Sequence, residues 1–120
     1  METLTLVRAK EIAAEVVAEF GEDYVYPEEH KAQCINSEEP ACMYVHDGKP
    51  SCLVAQILVR FGVPVSLLMF WENRGAYVVS QEVTECEDQV ASFLSVLQGR
   101  QDGGVSWGEA LKVANRFYPN

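Results

Sequence analysis

The sequence predicts a mainly α-helical domain. Four to five helices are expected around a central apolar helix at about residues 52–61, with a small two-stranded β ribbon at about 24–26 and 42–45. Three observations carry this. Apolar residues recur at helical spacing from residue 4 to 20. The stretch 53–61 is apolar on both of its sides, as expected of a helix in the middle of a domain. Two Ser/Thr-x-x-Glu boxes, at 84–87 and 106–109, each precede a helical pattern. A chain of 120 residues, 48% hydrophobic and 22% charged, fits one folded domain, 1–120, with one core.

The first helix is expected from Leu4 to Phe20, with Leu6, Ala9, Ala13, Val16, Val17 and Phe20 inward and Lys10, Glu11, Glu15 and Glu19 outward; Gly21 stops it in a left-handed conformation. Residues 22–41 read as a long acidic loop with six acids and two prolines. Within it Tyr24-Val25-Tyr26 is the first ribbon strand, ended by Pro27. Cys42 to Val45 is the second, and Asp47-Gly48 with Pro50 is the turn after it. The central helix follows, with the Ser51 hydroxyl as its cap, Cys52 as its first residue and a stripe of Leu53, Val54, Ile57, Leu58 and Phe61. Gly62 and Pro64 end it.

Residues 63–80 allow two readings. A short helix from Leu67 to Asn73, capped by Ser66 and ended by Gly75, is preferred to a hairpin of 63–71 with 76–80, because Leu, Met and Glu favour helix. In both readings Ala76 to Ser80 is extended. Thr84-Glu85-Cys86-Glu87 then opens a helix with the stripe Cys86, Val90, Phe93, Leu94 and Leu97. Gln101-Asp102-Gly103-Gly104 is a flexible turn. Ser106-Trp107-Gly108-Glu109 opens the last helix, with Trp107, Ala110, Leu111, Ala114 and Phe117 inward.

Charge and hydropathy narrow the function. The net charge is −9, and residues 1–40 alone hold ten acids against three bases. Phosphate backbones bind through Lys and Arg, so nucleic acid is not an expected ligand; a basic partner protein suits this balance. The longest charge-free stretches, Phe61 to Trp71 among them, are shorter than the ~20 apolar residues of a membrane span, so no membrane partner is expected. Charges at Glu2, Arg8, Lys10 and Glu11 argue against a secretory signal and for the cytoplasm, where thiols stay reduced.

Three chemistries remain. His30, Cys34, Cys42, His46 and Cys52 crowd into 23 residues as candidate zinc ligands, without the Cys-x2-Cys pair that most often presents two thiolates together. Cys52 at a helix start, with His46 as base and Asp47 orienting it, would suit a thiol enzyme. The blander reading places Cys42 and Cys52 in the core. No phosphate-binding glycine loop occurs. The five large apolar residues Leu67-Leu68-Met69-Phe70-Trp71 cannot all face inward from one short helix. Met69, Phe70 and Trp71, with loop acids Glu28, Glu29, Glu38 and Glu39, are therefore the candidate partner-binding residues.

The stretch YVHDGKPSCLVAQILVRFGV, with VYPEE before it and LQGRQDGGVSWGEAL after it, resembles a group of small uncharacterised proteins encoded by phages and prophages of actinobacteria. The shared pattern falls on Tyr44, Gly48, Pro50, Ser51, Cys52, Leu53, Gly62, Val63, Gln101, Asp102, Gly103, Trp107 and Gly108. The group usually has glycine two residues after Leu53, where this chain has Ala55. The resemblance implies a non-structural phage protein of the host cytoplasm and no catalytic residues. The expectation is a non-catalytic, acidic interaction protein without a cofactor, acting on a host protein or pairing with a second copy of itself. A small structural zinc domain and a Cys52/His46 enzyme are the alternatives.

Overall fold

The computed structural model describes residues 2–27, 31–32, 41–42, 44–72 and 74–119, with backbone alone at 31–32 and 41–42. In chain order the elements are β1 (Thr3–Leu4), α1 (Leu6–Phe20), β2 (Lys31–Ala32), β3 (Ala41–Cys42), β4 (Val45–His46), β5 (Lys49–Pro50), α2 (Leu53–Phe61), α3 (Val65–Phe70), α4 (Ala76–Val83), β6 (Glu85–Cys86), α5 (Asp88–Asp102) and α6 (Trp107–Phe117). The domain is mainly helical, as the sequence predicts. Among the described residues there are six helices, one more than expected.

α2 is the apolar centre. Leu53, Val54, Ala55, Ile57 and Leu58 are all fully buried, and the helix packs between α1 and α5. Gly62 ends it at φ 119°, a backbone conformation that side chains with a Cβ rarely adopt. α5 runs alongside and touches α1, α2, α4 and α6, burying Val90, Ala91, Phe93, Leu94 and Leu97. The stripes read for 4–20, 86–97 and 107–114 all point inward, apart from Phe117, which is exposed.

The strand pairs are each two residues long. β4 and β5 are antiparallel, with Val45 opposite Pro50 and His46 opposite Lys49. Between them Asp47 and Gly48 both take positive φ, 53° and 76°, the mirror-image turn that matches strand twist in two-residue hairpins. β2 and β3 are also antiparallel, with Lys31 opposite Cys42, while β1 and β6 are parallel.

Among the described residues the ribbon of 24–26 with 42–45 does not form. Residues 24–26 form no strand, and the backbone at and just before them serves another helix: Trp107 N donates to Tyr24 O at 2.8 Å and Gly108 N to Glu22 O at 3.0 Å. These amides belong to the first turn of α6 and have no partner within that helix. Ser106 Oγ accepts from Glu109 N, so the predicted cap is present. A Cβ on Gly108 would lie 2.6 Å from Glu22 O, so the glycine allows this close approach. The ring of Tyr24 packs on Phe20 and Trp107, with centroids 5.2 and 4.6 Å away.

Three other boundaries differ from expectation. Cys52, not Ser51, caps α2, its Sγ accepting from Ala55 N at 3.4 Å; the Ser51 hydroxyl instead bonds Tyr26 Oη at 2.9 Å. Residues 76–83 are helical, not extended, because Ala76, Val79, Ser80 and Val83 form a buried stripe at helical spacing. α3 runs from Val65 to Phe70, earlier than expected and without a Ser66 cap, and Gly75 begins α4. The box at 84–87 is split: Thr84 ends α4, Glu85 and Cys86 pair with β1, and the Glu87 carboxylate accepts from Leu6 N of α1 at 2.8 Å.

Gln101 is not part of a flexible turn. It is buried within α5, and its Oε1 accepts from Leu53 N, the first amide of α2, at 2.9 Å. Replacing it by Leu leaves that buried donor without a partner. Gln101→Leu is expected to lower stability by about 1–3 kcal/mol, read as a shift of the urea midpoint at unchanged slope.

Candidate interaction surface

The three candidate catalytic residues lie in different surroundings. Cys52 is fully buried at the start of α2, and its sulfur is engaged with the helix amide it caps. His46 and Asp47 sit on the exposed β4–β5 hairpin, with His46 Nδ1 3.5 Å from Asp47 Oδ2. The imidazole and carboxylate face one another, whereas the thiol is closed off from solvent. A nucleophile must reach a substrate, and this one is sealed beneath α2 packing.

The zinc candidates are only partly within the described residues. His30, Cys34 and the Cys42 side chain lie outside them. Among the described residues no three His, Cys, Asp or Glu side chains converge. Loop acids Glu28, Glu29, Glu38 and Glu39 likewise lie outside the described residues.

Beside the hairpin is an open cleft of about 660 Å³, lined by Phe20 and Tyr24, by His46, Asp47 and Lys49 of the hairpin, and by Glu19, Ser51 and Gln56. Gln56 Nε2 donates to Pro50 O at 2.8 Å, and Glu19 pairs with Arg60 across α1 and α2. The charged groups lining the cleft are Glu19, Asp47 and Lys49.

α3 is the clearest surface feature. Met69 is 57% and Phe70 80% exposed, and Leu67 also faces solvent. Leu68 is fully buried, and Trp71 packs partly against the core. The Phe70 ring meets Trp71 edge-on at 5.7 Å. The run 67–71 is thus divided: the core takes Leu68 and part of Trp71, and solvent takes the rest. On α4 the outward side adds Tyr77 and Val78. Helices that bury one stripe ordinarily show polar residues on the other; here two successive helices show large apolar ones.

The connection between α3 and α4 is held by residues the sequence did not single out. Glu72 Oε1 accepts from Tyr44 N at 2.7 Å and Oε2 from Val45 N at 3.2 Å. The Tyr44 hydroxyl donates to Arg74 O at 2.5 Å and accepts from Gln98 Nε2 at 3.0 Å. Gln98 Oε1 accepts from Ala76 N, the first amide of α4, at 2.7 Å. A lone Glu directly after the apolar run 67–71 was the available clue.

Burial raises the Glu72 carboxyl above its ordinary value, and the two amide bonds oppose this without overcoming it. The Cys86 thiol is also raised, by burial and then by the nearby Asp88 carboxylate. No protein-family model, curated protein or solved structure matches the chain.

Two outcomes follow from this geometry. With iodoacetamide and peptide mapping, Cys86, which is partly exposed, is expected to be alkylated well before Cys52, which should react only once urea opens the fold; prompt labelling of Cys52 would restore a thiol chemistry. Glu72 gives a pH effect of definite sign. The folded state holds its proton more tightly than the unfolded chain, so its contribution to stability is present below the unfolded carboxylate pKa and lost as pH rises through the raised value. Wild type should gain stability relative to Glu72→Gln as pH falls from neutrality into the carboxylate range, measured by paired urea titrations.

Proposed function

We propose that the chain is a non-catalytic binding protein whose recognition element is α3. The observation that carries this is the pair Met69 and Phe70, 57% and 80% exposed on a helix whose neighbour Leu68 is fully buried. Methionine and aromatic side chains supply much of the energy of protein interfaces. Their exposure on a domain with a full core is better matched to a partner than to packing. The buried position of Cys52 supports the non-catalytic side of the reading.

The net charge of −9 sets the partner's chemistry. A second copy would bring the same charge and repel at long range, whereas a surface with an apolar centre and a Lys/Arg rim is attracted. We take that partner to be a host protein of the bacterial cytoplasm, as the resemblance to actinobacterial phage proteins implies, with occlusion of the host protein's own surface as the mode of action. No described helix is long and apolar enough to cross a membrane.

Because Trp71 is partly structural, the test uses the two exposed residues. In affinity capture from actinobacterial lysate, wild type is expected to retain a basic protein in near-equal amount, and Met69→Ser/Phe70→Ser to retain about tenfold less. The double variant should keep the wild-type urea midpoint, since exposed substitutions typically alter stability by no more than about 0.5 kcal/mol. Equal retention by both proteins, or a wild type that retains nothing, overturns the reading.

A further inference from the structure

α3 is joined to the rest of the molecule by few groups. Leu68 is its one fully buried residue, and its N-cap, Pro64, makes no side-chain bond to it. Val65 and Trp71 pack only partly on the core. The backbone bonds that bound it are short-range: Leu67 N to Pro64 O at 3.1 Å, Trp71 N to Leu68 O at 3.0 Å and Arg74 N to Trp71 O at 3.3 Å. A helix of six residues with so little burial has no stability of its own.

Its fixation lies just beyond its end. The two Glu72 oxygens take the amides of Tyr44 and Val45, at 2.7 and 3.2 Å, and so tie the turn after α3 to the start of β4. Tyr44 is buried and is held in turn by Gln98 of α5. The chain of contacts thus runs from α5 through Tyr44 to Glu72 and Arg74. α3 also packs against β4 itself and α4.

We propose that Glu72 is a latch. Its carboxylate clamps residues 64–72 to β4, and this segment opens as a unit while α1, α2, α5 and α6 stay folded. Opening presents Leu68 and Trp71 beside Met69 and Phe70, enlarging the apolar surface offered to a partner, so that a partner binding the open form draws the segment out by population shift. This role in recognition rests on the binding function proposed above. The latch itself does not, and its test involves no partner.

The experiment is hydrogen–deuterium exchange with mass spectrometry on the full chain, comparing wild type, Glu72→Ala and Glu72→Gln. In Glu72→Ala, peptides covering 44–46 and 64–72 are expected to exchange about tenfold or more faster, with α1, α2, α5 and α6 within about twofold of wild type. Glu72→Gln should fall between, because its amide oxygen still accepts one N–H while its NH2 faces the other donor. Acceleration spread evenly over the chain, or none in 64–72, overturns the latch. Should Glu72→Ala not fold, wild type in graded low urea decides: protection in 64–72 is lost before that in α5 if the segment is a separate unit, and together with it if not. A failed capture experiment leaves these outcomes unchanged, and a failed latch leaves the capture result standing.

Discussion

The first amide of a helix has no partner within that helix, and in this chain three such amides are closed by side chains from one stretch, Glu87 to Gln101. Glu87 accepts from Leu6 of α1, Gln98 from Ala76 of α4 and Gln101 from Leu53 of α2. Each bond is worth about 0.5–1.5 kcal/mol net; the greater effect is geometric. The starts of α1, α2 and α4 are set relative to α5, and the apolar stripes then pack from fixed origins. α6, which packs against α5, is positioned in the same manner by a different donor set: its first amides reach the carbonyls of Glu22 and Tyr24.

This arrangement explains which parts of the fold could be read from sequence. The stripes along 4–20, 53–61, 86–97 and 107–114 were legible because burial imposes a period of 3.6 residues whatever the partner. The Asp47-Gly48 turn was legible because few residues accept positive φ in two successive positions. The Thr84–Glu87 box misled, since its carboxylate serves a helix 81 residues away in sequence, and no local rule encodes that. Tyr24 to Tyr26 has the composition of a strand, yet the Tyr24 carbonyl is taken by α6, a tertiary demand that overrides strand propensity. Residues 76–83 carry Tyr, Val and Val in a row, which favours strand locally, while the 76, 79, 80, 83 spacing favoured helix and prevailed.

The candidate site was legible in the same uneven way. That the run 67–71 could not be wholly buried followed from counting large side chains on one short helix. Which of them would be exposed required the fold: Leu68 turns inward, Trp71 lies on the core and Met69 and Phe70 remain outside. Cys52 shows the opposite case. Its place at a helix start suggested an activated thiolate, but α2 starts inside the domain, and an interior start seals the sulfur away. Glu72 and Gln98 gave almost no signal, being single polar residues whose roles depend on Tyr44, 28 and 54 positions earlier.

The pairing of β1 with β6 and the Glu87–Leu6 bond also bear on how the chain comes off the ribosome. The N-terminal helix emerges first, yet the carboxylate that closes its leading turn is translated 81 residues later. A 15-residue amphipathic segment has only marginal helicity until it can pack. The starts of α1, α2 and α4 thus depend on a stretch, Glu87 to Gln101, that is made after all three, so their apolar stripes cannot settle in their final places until that stretch is available.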